Sequence, residues 1–136
     1  MVTDDVVNRF AQAIARAEGF YETDPTKIPT VPQRARNPGD ITDEGNIGLG
    51  VIQTSGPAGA AITIYATVED GWAALQKKVR RMLDGQSEVY KPDLTIVEVG
   101  LKYSGNGGWG LNVAKQMGVD SRMTLAELAS DNQETA

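Results

Sequence analysis

The chain has 136 residues, 40% apolar and 23% charged, which describes one globular domain large enough for a hydrophobic core. Its 13 basic and 18 acidic residues leave a net charge of −5, which argues against a general nucleic-acid binder with its basic surplus. It has no cysteine and no histidine, which excludes disulfides, thiol catalysis, Ser-His-Asp and Cys-His mechanisms and most zinc sites.

The first helix is predicted to start with Thr3 or Asp4 as N-cap and to end at Glu18, with Gly19 as its stop. Val7, Phe10, Ile14 and Ala17 recur at steps of three and four, so they share one face. Residues 21–46 carry Pro25, Pro29, Pro32, Pro38 and Gly39 and read as a long loop with few hydrogen-bonded elements. A loop of that length in a compact domain is functional or mobile. Residues 48–54 and 60–66 are β-rich runs, and residues 55–59 between them hold Gly56, Pro57 and Gly59, so a hairpin is expected. In the second strand Ile62, Ile64 and Ala66 point one way, and Ala61, Thr63 and Tyr65 the other.

Thr67-x-x-Asp70 opens the next helix as a capping-box variant, with Trp72, Leu75, Val79 and Met82 on its core face. Lys77, Lys78, Arg80 and Arg81 read as a solvated basic run near its C-terminal end, and Asp84-Gly85-Gln86 ends it. Thr95-x-x-Glu98 is a full capping box with Leu94 and Val99 as staple, for a helix to about Tyr103. A glycine-rich stretch, Ser104 to Gly110, precedes a short helix from Leu111 to Met117 that stops at Gly118. Thr124-x-x-Glu127 opens the last helix, with Met123 and Leu128 as staple. Residues 1–3 and 131–136 are expected to fray. No internal repeat stands out.

The chemistry centres on Glu18. It follows Ile14 by four residues, which puts a carboxyl on the edge of the apolar face and in the last turn of a helix. Apolar surroundings and the negative end of the helix dipole both disfavour its charge and are expected to raise its pKa. A carboxylic acid that keeps its proton near neutral pH is what glycosidic bond cleavage needs to protonate a leaving oxygen.

Three stretches carry a resemblance. They are Ala17-Glu18-Gly19-Phe20, Arg34 to Gly39, and the run from Ile64 through Glu69-Asp70-Gly71-Trp72 to Leu75. In their order and spacing the chain, from about Asp5 to Leu128, resembles a phage and bacterial branch of the lysozyme-like superfamily, similar to soluble lytic transglycosylases and goose-type lysozymes. The pattern of that branch is an inward Glu then Gly, an Asn-Pro-Gly-Asn segment, a hairpin ending in an aromatic, and a Gly-aromatic-x-Ala-Leu helix. One position departs: the last Asn of Asn-Pro-Gly-Asn is Asp40 here.

The resemblance implies a single domain over residues 1–136. The expected fold is mainly α (α+β), lysozyme-like and two-lobed, with one small β-hairpin beside a cleft. It also implies cleavage of the β-1,4 bond between N-acetylmuramic acid and N-acetylglucosamine, with Glu18 as catalytic acid. The long loop would wrap back to place Arg34 and Asn37 by that Glu. Read alone, Asn37-Pro38-Gly39 is turn chemistry and Arg34 a solvated cation. Gln53 echoes the Gly-Leu-Met-Gln hairpin segment of transglycosylases, at a longer spacing from the Glu, and reads alone as an exposed hairpin residue. Tyr65 occupies the hairpin aromatic position, half core and half cleft wall.

Tyr103, Asn106 and Trp109 interleave aromatics and an amide with glycines, which suits sugar rings; the competing reading is a connector with Trp109 as its core anchor. Phosphate binding is not expected there, because no Gly-Lys-Ser/Thr follows the glycines. Residues 40–51 fail the spacing of a calcium loop, so no metal and no cofactor is expected.

A hydrolase needs a second carboxylate. Asp24, Asp40, Asp43 and Glu44 are the loop candidates, none at a diagnostic spacing. Lytic transglycosylases manage with one Glu, which leans the reading that way. The expected partner is a peptidoglycan strand, with no nucleic acid and no membrane span, and the protein is expected to be a monomer. Residues Met1 to Asp5 show no secretory pattern, so a holin pore, a virion or a leader removed upstream would bring the protein to the wall. The alternatives are a lysozyme-like virion or binding protein that grips glycan without cutting it, and a helical adaptor whose loop docks a partner.

Overall fold

The computed structural model describes residues 2–42, 48–54, 60–105 and 107–130. It is mainly α with a small antiparallel sheet. The elements are α1 (Asp4–Ala17), α2 (Val31–Arg34), β1 (Gly50–Gln53), β2 (Ala61–Ile64), α3 (Val68–Leu83), α4 (Ile96–Ser104), α5 (Gly107–Met117) and α6 (Leu125–Ala129). They form two compact units: Met1–Ala13 with Gln76–Ala136, and Ile14–Leu75.

The first unit is a helical core. Thr3 is the N-cap of α1, its hydroxyl accepting from the Val6 amide at 3.3 Å. Val6, Val7 and Phe10 are buried, as are Val79 and Met82 of α3, Ile96 and Val99 of α4, Val113 of α5, and Leu125 and Leu128 of α6. Each such side chain contributes roughly 1.5–3 kcal/mol of burial. The start of the chain is not frayed at its second residue. Val2 is buried, and its amide donates to Asp84 Oδ1 at 3.2 Å.

Nor are all the cations near the end of α3 merely solvated. Arg80 pairs with Asp4 and donates to the Val2 carbonyl at 3.4 Å, and Lys78 Nζ stands 5.8 Å from the ring centres of both Tyr90 and Tyr103.

The capping boxes at Thr95 and Thr124 both form, and they pair with each other. The Ile96 amide donates to the Met123 carbonyl at 3.0 Å and the Leu125 amide to the Leu94 carbonyl at 2.9 Å, so two helix starts share one short bridge. α4 and α5 cross at glycines. A Cβ on Gly100 would meet the Gly110 nitrogen at 2.8 Å and Trp109 Cε3 at 2.9 Å. α5 starts at Gly107 instead of Leu111, inside the glycine stretch. Residues 131–136, expected to fray, and Asn106 lie outside the described residues, as do residues 43–47 and the hairpin loop at 55–59.

The second unit contains the end of α1, the proline loop and the hairpin. β1 and β2 pair in the register Gly50↔Ile64 to Gln53↔Ala61, and Thr42 adds an isolated bridge to Ile62. The loop is more structured than its prolines suggest. Thr30 and Gln33 make a reciprocal capping box that starts α2, with Pro32 in its first turn, where its missing N–H does no harm. Gln33 also donates from Nε2 to the Phe20 carbonyl at 3.0 Å and the Glu22 carbonyl at 2.7 Å. α3 touches this loop through Gly71: a Cβ there would lie 2.1 Å from the Arg36 carbonyl oxygen and 2.8 Å from Pro38 Cδ. The glycine of Asp70-Gly71-Trp72 is therefore a close-approach residue.

Candidate active site

α1 ends on Glu18. The Gly19 amide donates to the Arg16 carbonyl at 3.2 Å and the Phe20 amide to the Ala15 carbonyl at 3.0 Å, with Gly19 at φ +85°. This is the two-bond left-handed termination expected of a glycine just past a helix. It satisfies the last carbonyls and fixes the direction in which the chain leaves. Glu18 is half-buried, and its amide still donates to the Ile14 carbonyl at 2.9 Å.

The residues immediately after it form an aromatic group. The Phe20 and Tyr21 rings lie 5.4 Å apart at 79°, Phe20 and Trp72 5.8 Å apart at 86°, and Tyr21 and Trp72 6.4 Å apart at 42°. The Arg16 guanidinium sits 5.1 Å from the centre of the Tyr21 ring. Trp72, expected in the core, is only half-buried, and Tyr21 is 40% exposed. Core packing at the start of α3 falls to Leu75 instead.

The other residues expected at the site are distributed as follows. Arg34 is exposed in the single turn of α2. Asn37 is fully buried, and its amide is committed to backbone. Nδ2 donates to the Ile41 and Thr63 carbonyls, both at 2.9 Å, and Oδ1 accepts from the Ile41 amide at 2.9 Å. The expectation that Asn37 binds sugar or orients Glu18 therefore gives way: one donor hydrogen closes the turn on Ile41 and the other ties the loop to Thr63 of β2.

Gln53 is exposed at the end of β1 and donates to the Thr54 carbonyl at 3.4 Å. Tyr65 is buried rather than half in a wall. Its amide donates to the Ala35 carbonyl at 2.9 Å and its carbonyl accepts from Arg36 Nε at 2.7 Å.

Tyr103 and Trp109 belong to the first unit. Their rings stack at 5.0 Å and 24°, with Trp109 buried and wedged against Gly100. That is the geometry of an anchor for the α4–α5 crossing. A groove of about 570 Å³ in the same unit is lined by Val2, Leu83, Asp84 and Ser130 among others, and by none of the expected site residues among those described.

Of the loop carboxylates, Asp24 is exposed. Thr26 donates to its Oδ1 from the amide at 2.9 Å and the hydroxyl at 2.7 Å, and these bonds hold its carboxyl below the usual range. Asp40 is the opposite case. It sits at φ +51° on the turn that Asn37 closes, and its Oδ1 is buried with no hydrogen-bond partner. Burial pushes its carboxyl up to about 6. Asp43 and Glu44 lie outside the described residues. Among the described residues no group of three or more acidic side chains is placed to hold a metal ion, and no helix is long and apolar enough to cross a membrane.

Sequence reasoning missed Arg16, Phe20, Tyr21 and Trp72 as one group. The signal for the first three was local: two consecutive aromatics directly after a helix-stop glycine, with an arginine one turn back. Trp72 joins them only through tertiary packing. Comparison with family models, with curated proteins and with solved structures finds no match for this chain.

Proposed function

We propose that this protein has a lysozyme-like fold and cleaves peptidoglycan strands at the β-1,4 bond between N-acetylmuramic acid and N-acetylglucosamine, with Glu18 as the acid. One observation carries the reading. The backbone of a half-buried glutamate is fixed by a hydrogen-bonded helix termination, and the two aromatics that follow its stop glycine cluster with Trp72. A partly desolvated carboxyl suits proton donation, and aromatic rings suit the apolar faces of sugars.

In the reaction Glu18 gives its proton to the glycosidic oxygen as the bond from C1 breaks. Its carboxylate then takes the proton of the sugar's own 6-hydroxyl as that oxygen bonds to C1, closing a 1,6-anhydro ring. The described loop carboxylates support this route over hydrolysis. The Oδ1 of Asp24 is taken up by the Thr26 amide and hydroxyl, and its lowered pKa makes it a weak base, while Asp40 has its Oδ1 sealed from solvent.

The test is digestion of purified walls followed by mass spectrometry. Wild type should clear turbidity and leave anhydro ends. Glu18→Gln should do neither while unfolding at the same or slightly higher denaturant, since an ionisable group leaves a partly buried place. Clearing by Glu18→Gln at the wild-type rate would overturn the reading. A second reading, glycan binding without cleavage, is favoured by the same aromatic group. It predicts retention on walls with no new ends.

A further inference from the structure

We propose that Tyr21, Trp72 and Arg16 form a stacking subsite for an acidic pyranose, the strand sugar that carries a carboxylate. The proposal rests on the glycan reading above and names the sugar recognised by the aromatic group that follows Glu18 in the chain.

The ring geometry separates this group from an ordinary packing cluster. Tyr103 and Trp109 lie face to face at 24° and 5.0 Å, so each covers the other. Tyr21 and Trp72 are tilted by 42° at 6.4 Å, so neither ring closes off the other's face. Phe20 stands nearly perpendicular to both and braces them, and its own place is set by its amide bond to the Ala15 carbonyl. Tyr21 is 40% exposed and Trp72 half-buried, an uncommon investment of aromatic surface in contact with water. A pyranose presents an apolar face of C–H groups of about the size of such a ring, with hydroxyls at its rim. Tilted, rigid aromatics match that shape at low entropic cost.

Arg16 supplies the second half of the recognition. It is exposed and lies over Tyr21, yet its guanidinium makes no hydrogen bond and no ion pair among the described residues. A guanidinium carries five donors in a planar fork that fits a carboxylate in two-point fashion. Held by the ring, it is oriented before any ligand arrives. An aromatic pair with a guanidinium that has no carboxylate partner among the described residues fits a sugar with an acidic substituent better than a neutral one. A nucleotide would also stack, and a single-stranded oligonucleotide is therefore one arm of the test.

The Glu18→Gln protein makes the test independent of turnover. It is titrated with peptide-free wall strands, with neutral β-1,4 N-acetylglucosamine oligomers of equal length, and with a single-stranded oligonucleotide. Tryptophan emission is followed, with Trp72→Phe identifying the ring that responds. Both glycans should shift the emission of Trp72. The acidic strand should bind about tenfold more tightly at low salt, and Arg16→Gln should abolish that preference. Tyr21→Ala should weaken both glycans about tenfold.

A Trp72→Phe protein that responds like its parent would overturn the subsite. So would an Arg16→Gln protein that keeps the acidic preference, or equal binding of the oligonucleotide. The two readings fail separately. Cleavage by wild type with no Trp72 response removes the subsite alone. A Trp72 response without any cleavage by wild type removes the catalytic reading alone. A protein that neither binds nor cleaves removes both.

Discussion

Asp40→Asn should stabilise the protein, and the gain should depend on pH in a way only this carboxyl explains. Asp40 has a carboxyl raised from an ordinary 3.8 to about 6 by burial, with Oδ1 sealed and unpartnered. At pH 5 the folded chain therefore holds a proton that the unfolded chain has released. Folding takes up that proton across roughly pH 4–6, so stability falls as pH rises through this window. Below about pH 4 the group is protonated in both states and the penalty is absent. Two pKa units at ~1.4 kcal/mol each set a ceiling of about 3 kcal/mol. Asp40 is only partly buried, so solvent screens its charge, and about half of that, near 1.5 kcal/mol, is the expected penalty at neutral pH.

The substituted amide cannot ionise, and asparagine tolerates the φ of +51° at this position better than most residues, which adds a constant offset. The informative quantity is the difference in unfolding free energy between Asp40→Asn and wild type, from urea titrations followed by tryptophan emission between pH 4 and pH 7.5. Subtraction cancels the opposite contributions of Asp24 and Asp120, whose carboxyls hydrogen bonds hold below the usual range and which destabilise the fold as pH falls. The difference should grow by about 1.5 kcal/mol from pH 4 to pH 7 and then level. A flat difference would show that Asp40 is solvated in solution and that its burial is not felt.

Three further substitutions test the packing of the second unit. Gly71→Ala would stabilise an unencumbered helix by about 1 kcal/mol. Here the new Cβ lies 2.1 Å from the Arg36 carbonyl oxygen, so a net loss of about 1–3 kcal/mol is expected in chemical unfolding, and a gain would refute the close approach. Asn37→Ala strips partners from the Ile41 amide and the Thr63 carbonyl, and at about 1–3 kcal/mol for each stranded group a loss of about 3–5 kcal/mol should appear in urea unfolding. Gln33→Ala removes the bonds to the Phe20 and Glu22 carbonyls and the acceptor for the Thr30 amide; faster hydrogen exchange at Thr30, with a stability loss of about 1–2 kcal/mol, checks it.

What was legible in the sequence was local. The boxes at Thr95 and Thr124 and the stop at Gly19 were readable because a cap needs only residues within one turn of it. Leu75, Val79 and Met82 were readable as a core face because helical periodicity needs no partner. The mainly helical class with one antiparallel hairpin followed from the same signals. The misreadings are residues whose role is set across the chain. Trp72 fits the core period yet meets Tyr21 and Phe20, far back in the chain, instead of the interior. Asn37 reads as a turn former or a sugar ligand, and only the position of β2 shows that its amide is spent. The proline density of residues 21–46 concealed α2, because a helix of four residues leaves no periodicity to detect.

These misreadings share a cause that bears on the site itself. Prolines remove backbone donors, so a loop rich in them must be held by side chains. In this loop two amides do most of that holding. Gln33 fastens the α2 cap to the carbonyls of Phe20 and Glu22, and Asn37 fastens the following turn to Ile41 and Thr63. Gln33 thereby grips the segment that carries Phe20 and Tyr21, just past the glycine that ends α1. The direction of Tyr21 is thus set by hydrogen bonds from a residue eleven to thirteen positions later than the carbonyls it holds, as much as by the helix before it. A carboxyl on a helix end and an aromatic just beyond it can share a rigid frame only if both sides of the glycine are anchored. The helix anchors one side, and Gln33 anchors the other.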